Sequence, residues 1–480
     1  MLVNWYHVYD LLTQNAVDRL EALLPTMSVD QKNHWIYSKA FYDKQFFMDF
    51  FLPHWQVHRW KRIKPSSIHY DIDESYESGA NINLLLPRGH AKTTRILVNT
   101  LHDLIYGIRK IRVPYDLMYI SSKGLWEISI GKIRVELEIN PMLKRVYGSL
   151  APTDEDSKHI IENKNKKWKQ SYLELSNGAS LETVTKGWSL RGRRKHKVII
   201  DDPEENKDVK NKRIVEEFRD FVFTTVYNMM LPGGNMVVLG TIVGELCLVE
   251  HLKHKKWWRT IMRKALEKRQ PLRPELWNKK ALKERLEIIG TPRFLQEFMH
   301  VPISRNDRII KTHWIRYYQQ LPKTFDKIVM GIDVATTEQT RSDYTAVCFL
   351  WVKQGTAYVI ASYSHKLTPG KNELMLVKLY IQHKPTHVVY ESNIEAKLLE
   401  DLKNRGLPIK WIKNTKDKHT RLLDGAPEIE FGRVVFSPGC QTLEYQLTHY
   451  PDLEHDDVMD AFLIALKASQ TKKNTHVVRA

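Results

Sequence analysis

The chain is 480 residues long, with 74 Lys and Arg against 56 Asp and Glu, a formal charge of +18 and a pI near 9.4. That length exceeds what one small core organises and predicts two domains, and the charge points to a polyanionic partner. The three cysteines, Cys247, Cys348 and Cys440, are too few and too scattered for a disulfide framework or a thiolate zinc site, and the longest apolar run, MVVLGTIVGELCLV, is broken by Gly240, Gly244 and Glu245, so neither a membrane span nor an oxidising compartment is expected.

The N-terminal MLVNWYHVYDLLTQN lacks a basic stretch ahead of an apolar core and does not read as a signal peptide. Residues 1–60 are predicted as an aromatic-rich helical segment packed on the next domain, on the mixed three and four spacing in QKNHWIYSKAFYDKQFFMDFFLPHW. His54 and His58 stand four apart, but no acidic or cysteine partner is expected beside them, so no metal role is assigned to them.

Over residues 61–303, short apolar runs (NINLLLP, PYDLMYISS, KHKVIIDDP, GGNMVVLGTIV) alternate with amphipathic segments such as LVNTLHDLIYGI. That alternation predicts a doubly wound parallel α/β sheet. LLLPRGHAKTT follows a strand and precedes a helix expected from Thr94, the context of a phosphate loop. Lys92 and Thr93 fit the usual G-x-x-x-x-G-K-[ST] form, while Leu86 and Ala91 occupy its glycine positions. Gly89 supplies backbone freedom inside the loop, Arg88 adds a cation, and His90 lies between them and Lys92. Farther on, KVIIDDPEEN places Asp201 and Asp202 at a strand end, where Asp201 would bind Mg²⁺ through water and Asp202 would orient or deprotonate the attacking water. Asp202, before Pro203, also reads as a helix cap, a role that can coexist with the first. In GWSLRGRRKHK, Arg191, Arg193, Arg194 and Lys195 read equally as a solvated basic loop or as phosphate contacts.

Residues 304–326 lack a clean period and are expected to be a linker. In residues 327–480 three strands (KIVMGIDVA, YTAVCFLWVK, TAYVIASYS) precede a helix, NELMLVKLYIQH, and a further strand, THVVYES. Asp333, Glu391, and Asp456 or Asp457 in HDDVMDAFLIAL each fall at a strand end or a helix start, so they are candidates to converge and share two Mg²⁺ or Mn²⁺ ions able to stabilise the attacking and leaving oxygens of a phosphodiester. Asp343 and Asp460 are further candidates, the latter on the helical face of Asp457. Tryptophans beside lysines, as in HKKWWRT and NKKWKQ, either brace a DNA backbone or pack the lysine stems.

In this order and spacing the motifs over residues 40–470 resemble the large subunit of tailed-phage or prophage terminases. The resemblance is carried by PRGHAKTT, SLRGRR, VIIDDPE, VVLGT, GIDVA, YESN and HDDVMDA. It implies an ASCE-type P-loop ATPase followed by a ribonuclease H-like nuclease, using ATP and Mg²⁺, with Mn²⁺ able to substitute in the nuclease. It also implies double-stranded DNA, a small terminase subunit and a portal protein as partners. A homo-oligomeric ring in the host cytoplasm, transiently docked on the prohead, completes the expectation. By matching position, Arg88, Gly89, His90, Ala91, Lys92 and Thr93 form the phosphate loop. Asp201 takes the magnesium, Asp202 or Glu204 activates water, Arg191 reaches a neighbour's nucleotide, and Asp333, Glu391 and Asp457, with Asp456, hold the nuclease ions. A repair helicase-nuclease, a recombinase, and a non-catalytic DNA-binding scaffold are the alternatives.

Overall fold

The computed structural model describes residues 26–58, 61–63, 65–152, 168–185, 190, 192–206, 208–304, 307–334, 344–367, 369–391, 396–453 and 455–470. They form two compact units, one reaching Ala281 and including Leu295–Pro302, the other built from Leu282–Phe294 and the chain from Ile303. Among the described residues no helix is long and apolar enough to cross a membrane.

The first unit is organised on an eight-stranded sheet: β1 (Asn81–Leu85), β2 (Asp116–Ser121), β3 (Trp168–Lys169), β4 (Tyr172–Glu174), β5 (Ser180–Thr185), β6 (Lys195–Asp201), β7 (Met230–Gly240) and β8 (Trp258–Met262). Its spatial order is β8-β1-β7-β6-β2-β5-β4-β3. The first six of these pair in parallel, and the β5-β4-β3 edge is antiparallel. Strand β7 thus lies between β1 and β6, the arrangement of an ASCE P-loop sheet, and the loops after β1 and β6 open at the same edge. Strand ends in a parallel sheet gather functional loops at one side.

The helices α1 (Val29–Tyr42) and α2 (Lys44–Phe51) are started by side-chain caps from Ser28 and Asp43. They share one apolar core with α4 (Lys92–Ile111): Ile36, Ala40, Phe47 and Phe51 pack in the same cluster as Leu97, Leu101 and Leu104. Between them runs a buried ionic network. Asp103 of α4 meets Lys110 at 2.9 Å and Lys197 of β6 at 3.0 Å, and Lys110 meets Glu77 of α3 (Ser67–Glu77) at 2.9 Å. Glu77, His102 and Asp103 lie close enough to hold a metal ion, but the ammoniums of Lys44, Lys110 and Lys197 already supply the positive charge there. His54 pairs with Glu136 of α5 (Lys123–Ile139) at 2.6 Å, an acidic partner 82 residues away that local sequence could not show.

In the second unit six strands, β9 (Lys327–Asp333), β10 (Thr345–Lys353), β11 (Thr356–His365), β12 (His387–Glu391), β13 (Ile409–Ile412) and β14 (Val434–Phe436), are ordered β13-β12-β9-β10-β11-β14. Strands β9, β10 and β11 are antiparallel neighbours, and β12 runs parallel to β9. This is the ribonuclease H-like layout with one added strand. The residues between 307 and 326 hold little regular structure yet bury Ile309, Ile310 and Trp314 in the core of this unit. Helix α8 (Asp457–Gln470) lies across the sheet directly over β9, and Gly331 is why it can. A Cβ at that position would collide with the Ala461 carbonyl and with Ala465. Small residues on both surfaces allow the close approach, and the first turn of α8 is thereby brought to the end of β9.

Candidate functional sites

The loop from Leu86 to Ala91 joins β1 to α4, and α4 begins at Lys92, two residues earlier than its apolar spacing predicts. Two of its residues have positive φ: Gly89 at 75° and Ala91 at 63°. Ala91 stands where the usual motif has its second glycine and adopts the left-handed conformation regardless, at a steric cost of roughly 1 kcal/mol. Gly89 is needed for a second reason, since a Cβ there would come within 2.9 Å of the Trp277 ring. Trp277, which motif reasoning missed, lies parallel to the His90 imidazole and donates its indole N–H to the Gly89 carbonyl at 3.2 Å. His90 is fully buried, its Nδ1 lies 3.1 Å from the Arg88 carbonyl, and it is held neutral by burial, its pKa pushed down to about 4. Arg88 points outward and pairs with Glu297 at 3.0 Å.

Behind the loop, Lys92 reaches Asp202 Oδ1 at 3.2 Å, and the Thr93 hydroxyl donates to Asp201 Oδ1 at 3.4 Å. Asp201 ends β6, accepts from the Tyr119 hydroxyl, and is almost wholly buried. Burial, and then the charge of Asp202 beside it, raises its pKa to about 6. Asp202 does not cap a helix. Its φ is 41°, and its N–H donates to the Leu239 carbonyl at 2.9 Å on the neighbouring strand β7. The chain from Pro203 to Glu205 is irregular, and this turn is what leaves the Asp202 carboxylate on Lys92. Glu204 is committed elsewhere: its Oε2 accepts from the Leu248 N–H at 2.6 Å, at the start of the short helix α6 (Leu248–Leu252). Of the two water-activating candidates, only Asp202 therefore faces the loop lysine. Arg191 lies outside the described residues, and the neighbouring Arg193 and Lys195 both pair with Glu182, at 2.9 and 3.2 Å. A cavity of about 160 Å³ opens beside Ala91 and Thr94, lined also by Trp55, His69, Arg95 and Arg273.

The carboxylate cluster is assembled by three elements of the second unit. Ile332 of β9 is in register with Tyr390 of β12, so Asp333 and Glu391 come next, side by side, at the ends of parallel neighbours. Helix α8 supplies Asp457 and Asp460 in its first turn, with Asp456 just before it. Asp333 has its pKa raised to about 8, by burial first and then by the charges of Asp460 and Asp457. Asp457 and Asp460 are raised also, burial leading in each case.

Two cations that the sequence did not single out stand among these acids. On α7 (Lys418–Glu430), Lys418 Nζ lies 2.6 Å from Asp456 Oδ2 and 2.7 Å from Asp460 Oδ2. One turn on, Arg421 lies 3.2 Å from Glu391 Oε2 and 3.0 Å from Asp460 Oδ1. Both oxygens of Asp460 are thus taken by cations, whereas Asp333 has no side-chain partner among the described residues. Asp343 lies outside the described residues. No three of the described acids of this cluster present oxygens within 4.8 Å of one another. Their donor set is nevertheless all oxygen, the chemistry a hard divalent ion takes, and so is the Thr93 hydroxyl beside Asp201.

No family model and no curated protein matches this chain. Among solved structures it is similar to the large terminase of a thermophilic bacteriophage, at 10% identity, covering 84% of this chain and 98% of that one with a TM-score of 0.47. It is also similar to the HK97 bacteriophage large terminase, at 12% identity with 87% and 98% covered and a TM-score of 0.36. The large terminase nuclease of the thermophilic phage G20c with bound magnesium matches at 15% identity, covering 34% of this chain and 98% of that one, with a TM-score of 0.28.

Proposed function

We propose that the chain is the large subunit of a phage terminase, an ATP-driven motor for double-stranded DNA that also carries a metal-dependent endonuclease. The observation that carries this reading is the presence of two separate phosphate-chemistry sites, one in each unit. The first couples a phosphate loop to a paired carboxylate through Lys92–Asp202 and Thr93–Asp201. The second gathers Asp333, Glu391 and the α8 acids. A recombinase would need only the second, and a passive DNA-binding scaffold neither.

In the ATPase site, Lys92 and the backbone N–H groups at the start of α4 would face the nucleotide's phosphates, and the helix end would add its partial positive charge. Magnesium bound at Thr93 and Asp201 would neutralise phosphate charge. Asp202, held on Lys92 in the resting site, is released to orient water once phosphate competes for the ammonium. Arg88 likewise has a choice between Glu297 and a phosphate oxygen. Arg191 is the residue proposed to reach a neighbouring subunit's nucleotide. The cavity beside Ala91 is the place this reading assigns to the base or ribose, and burial foremost, with the charges of Arg273 and Arg95 on its wall, keeps His69 neutral.

In the nuclease site, Asp333, Glu391 and Asp457 would hold magnesium, or manganese in its place, and the ion would supply activation of water and stabilisation of the leaving oxygen. Asp456 stands beside them, engaged by Lys418. The formal charge of +18 supplies sequence-independent attraction to the DNA backbone, as a motor moving along any sequence requires. A small terminase subunit, a portal protein and a ring of copies docked on a prohead in the host cytoplasm are the partners and setting this reading implies. ATP hydrolysis by the purified chain, measured beside Lys92→Ala, tests it. Hydrolysis abolished by the substitution supports the motor, and hydrolysis indifferent to it refutes the assignment of the loop.

A further inference from the structure

The tryptophans that stand beside lysines in the sequence do not share one role. Trp168 donates its indole N–H to Glu138 at 2.7 Å, and Trp258 is buried in the core with Leu248 and Leu252. Trp257 does neither: at 82% it is the most exposed large apolar side chain among the described residues. It sits on the turn that leads from α6 into β8. The Leu252 carbonyl accepts from the Lys255 N–H at 3.1 Å, and the Lys255 carbonyl accepts from the Trp258 N–H at 3.0 Å. Lys256 and Trp257 are thus the two central residues of a hydrogen-bonded turn, pinned on either side by buried Leu252 and Trp258. Fixed backbone, not a loose loop, presents the indole to solvent.

Its surroundings are cationic. Between Glu250 and Glu267 the chain holds six Lys and Arg residues and no acid. Lys253 and His254 turn back to Glu250, and Arg263 turns to Glu267. The exposed Lys255, Lys256 and Arg259 enter no ion pair among the described residues. Trp258 is in register with Asn81, the first residue of β1, whereas the loop bearing Lys92 follows the last. The turn therefore lies at the other end of β1, roughly 15 Å from that loop at about 3.3 Å per residue.

We propose that the turn Lys255–Trp258 is a contact for double-stranded DNA, in which Lys255 and Lys256 take backbone phosphates and the Trp257 indole lies against the deoxyribose between them. Arg259, next along β8, extends the same cationic strip. This rests on the reading of the chain as a DNA motor. Charge selects DNA as the occupant. Uncompensated ammoniums on both sides of one amphipathic ring match the alternation of phosphate and sugar, whereas an apolar protein surface would leave those ammoniums desolvated without counter-charge. Such a contact reads no base edge, as a motor moving along any sequence requires. Because the turn and the Lys92 loop stand at opposite ends of β1, DNA affinity and nucleotide affinity are separable by substitution.

The test is binding of a short labelled duplex to the full chain over a range of salt concentrations, with chelator present, followed by fluorescence anisotropy. Parent, Lys255→Gln with Lys256→Gln, Trp257→Ala and Trp257→Phe are compared. Lys123→Gln with Lys212→Gln, whose ammoniums pair with Glu127 and Glu216, is the charge control. Each phosphate contact contributes about 0.9 to the slope of log affinity against log salt, so the Lys255 and Lys256 double variant should lower that slope by about 1.8 and weaken binding by roughly tenfold or more. Trp257→Ala should weaken binding about fivefold, the value of roughly 40 Å² of buried apolar surface, with the slope unchanged. Trp257→Phe should recover most of that loss, and ATP binding should be alike in all the proteins. An unchanged slope in the lysine variant, or an equal fall in the control, overturns the proposal. So does unchanged affinity in Trp257→Ala, or a single strand bound more tightly than the duplex through Trp257 alone. A parent that hydrolyses ATP yet binds no duplex instead sinks the DNA-motor reading beneath it.

Discussion

Arg88 and Glu297 are joined twice: guanidinium to carboxylate at 3.0 Å, and the Arg88 N–H to the Glu297 carbonyl at 3.1 Å. The outward cation of the loop proposed to take phosphate is thereby held by an acid. Because Arg88 is largely exposed, the side-chain pair is worth little, about 0.2–1 kcal/mol. Glu297→Gln should tighten ATP binding about two- to fivefold, by removing the competitor. Arg88→Ala should weaken it. Fluorescent-nucleotide titration distinguishes the two, and equal loss in both variants would mean that the pair is only structural.

The two left-handed residues of the loop predict substitutions of opposite sign. Gly89→Ala meets both an unfavourable φ and the Trp277 ring, and should cost about 1–3 kcal/mol of stability and most nucleotide binding. Ala91→Gly should relieve strain and raise stability by up to about 1 kcal/mol, less the entropy glycine adds to the unfolded chain. Thermal unfolding with and without ATP measures both.

Asp103 is buried among cations, with Lys197 at 3.0 Å and Lys110 at 2.9 Å, and its carboxyl is held well below the usual carboxylate range by them against the opposing effect of burial. Asp103→Asn leaves lysines enclosed without their counter-charge and should destabilise the first unit by about 3–5 kcal/mol. Urea unfolding monitored on that unit checks the value. A loss below about 1 kcal/mol, read against the same scale, would mean that Glu77 compensates.

Four buried histidines set a pH dependence. Burial foremost pushes His69, His90 and His300 down to about 4 and His102 to about 3, from an ordinary 6.5. As pH falls below 6.5 the unfolded chain takes up protons that the folded chain refuses. The stability these residues contribute is complete above that value and is lost progressively toward pH 4, by up to roughly 3 kcal/mol each. Hydrogen exchange of β1 and α4 should accelerate steadily from about pH 6.5 to about pH 5 after correction for the intrinsic rate. A flat corrected profile would contradict the burial.

Much of the fold was legible in the chain itself, because strand-end carboxylates and a strand–loop–helix around Lys92 are local patterns. Asp201, Asp333 and Glu391 each close an apolar run, and alternation of those runs with amphipathic segments announced both sheets. Spacing could not choose between Asp456 and Asp457, since a helix start turns adjacent residues apart. Trp277 and Glu297 lie 188 and 209 residues from the loop positions they contact, and Lys418 and Arg421 sit in an ordinary-looking amphipathic helix. Nothing local distinguishes such residues from surface charges; only packing brings them in. The helix cap read for Asp202 failed because its positive φ sends the chain into an irregular segment instead of a helix.

The most direct test of the two-site reading is cleavage of supercoiled plasmid by the purified chain in Mn²⁺ or Mg²⁺, beside Asp333→Asn. Nicking and linearisation by the parent, lost in the variant and absent with chelator, is the predicted result. Equal cutting by both proteins, or none by a parent that binds Mn²⁺ and DNA, would contradict a nuclease built on Asp333 and Glu391.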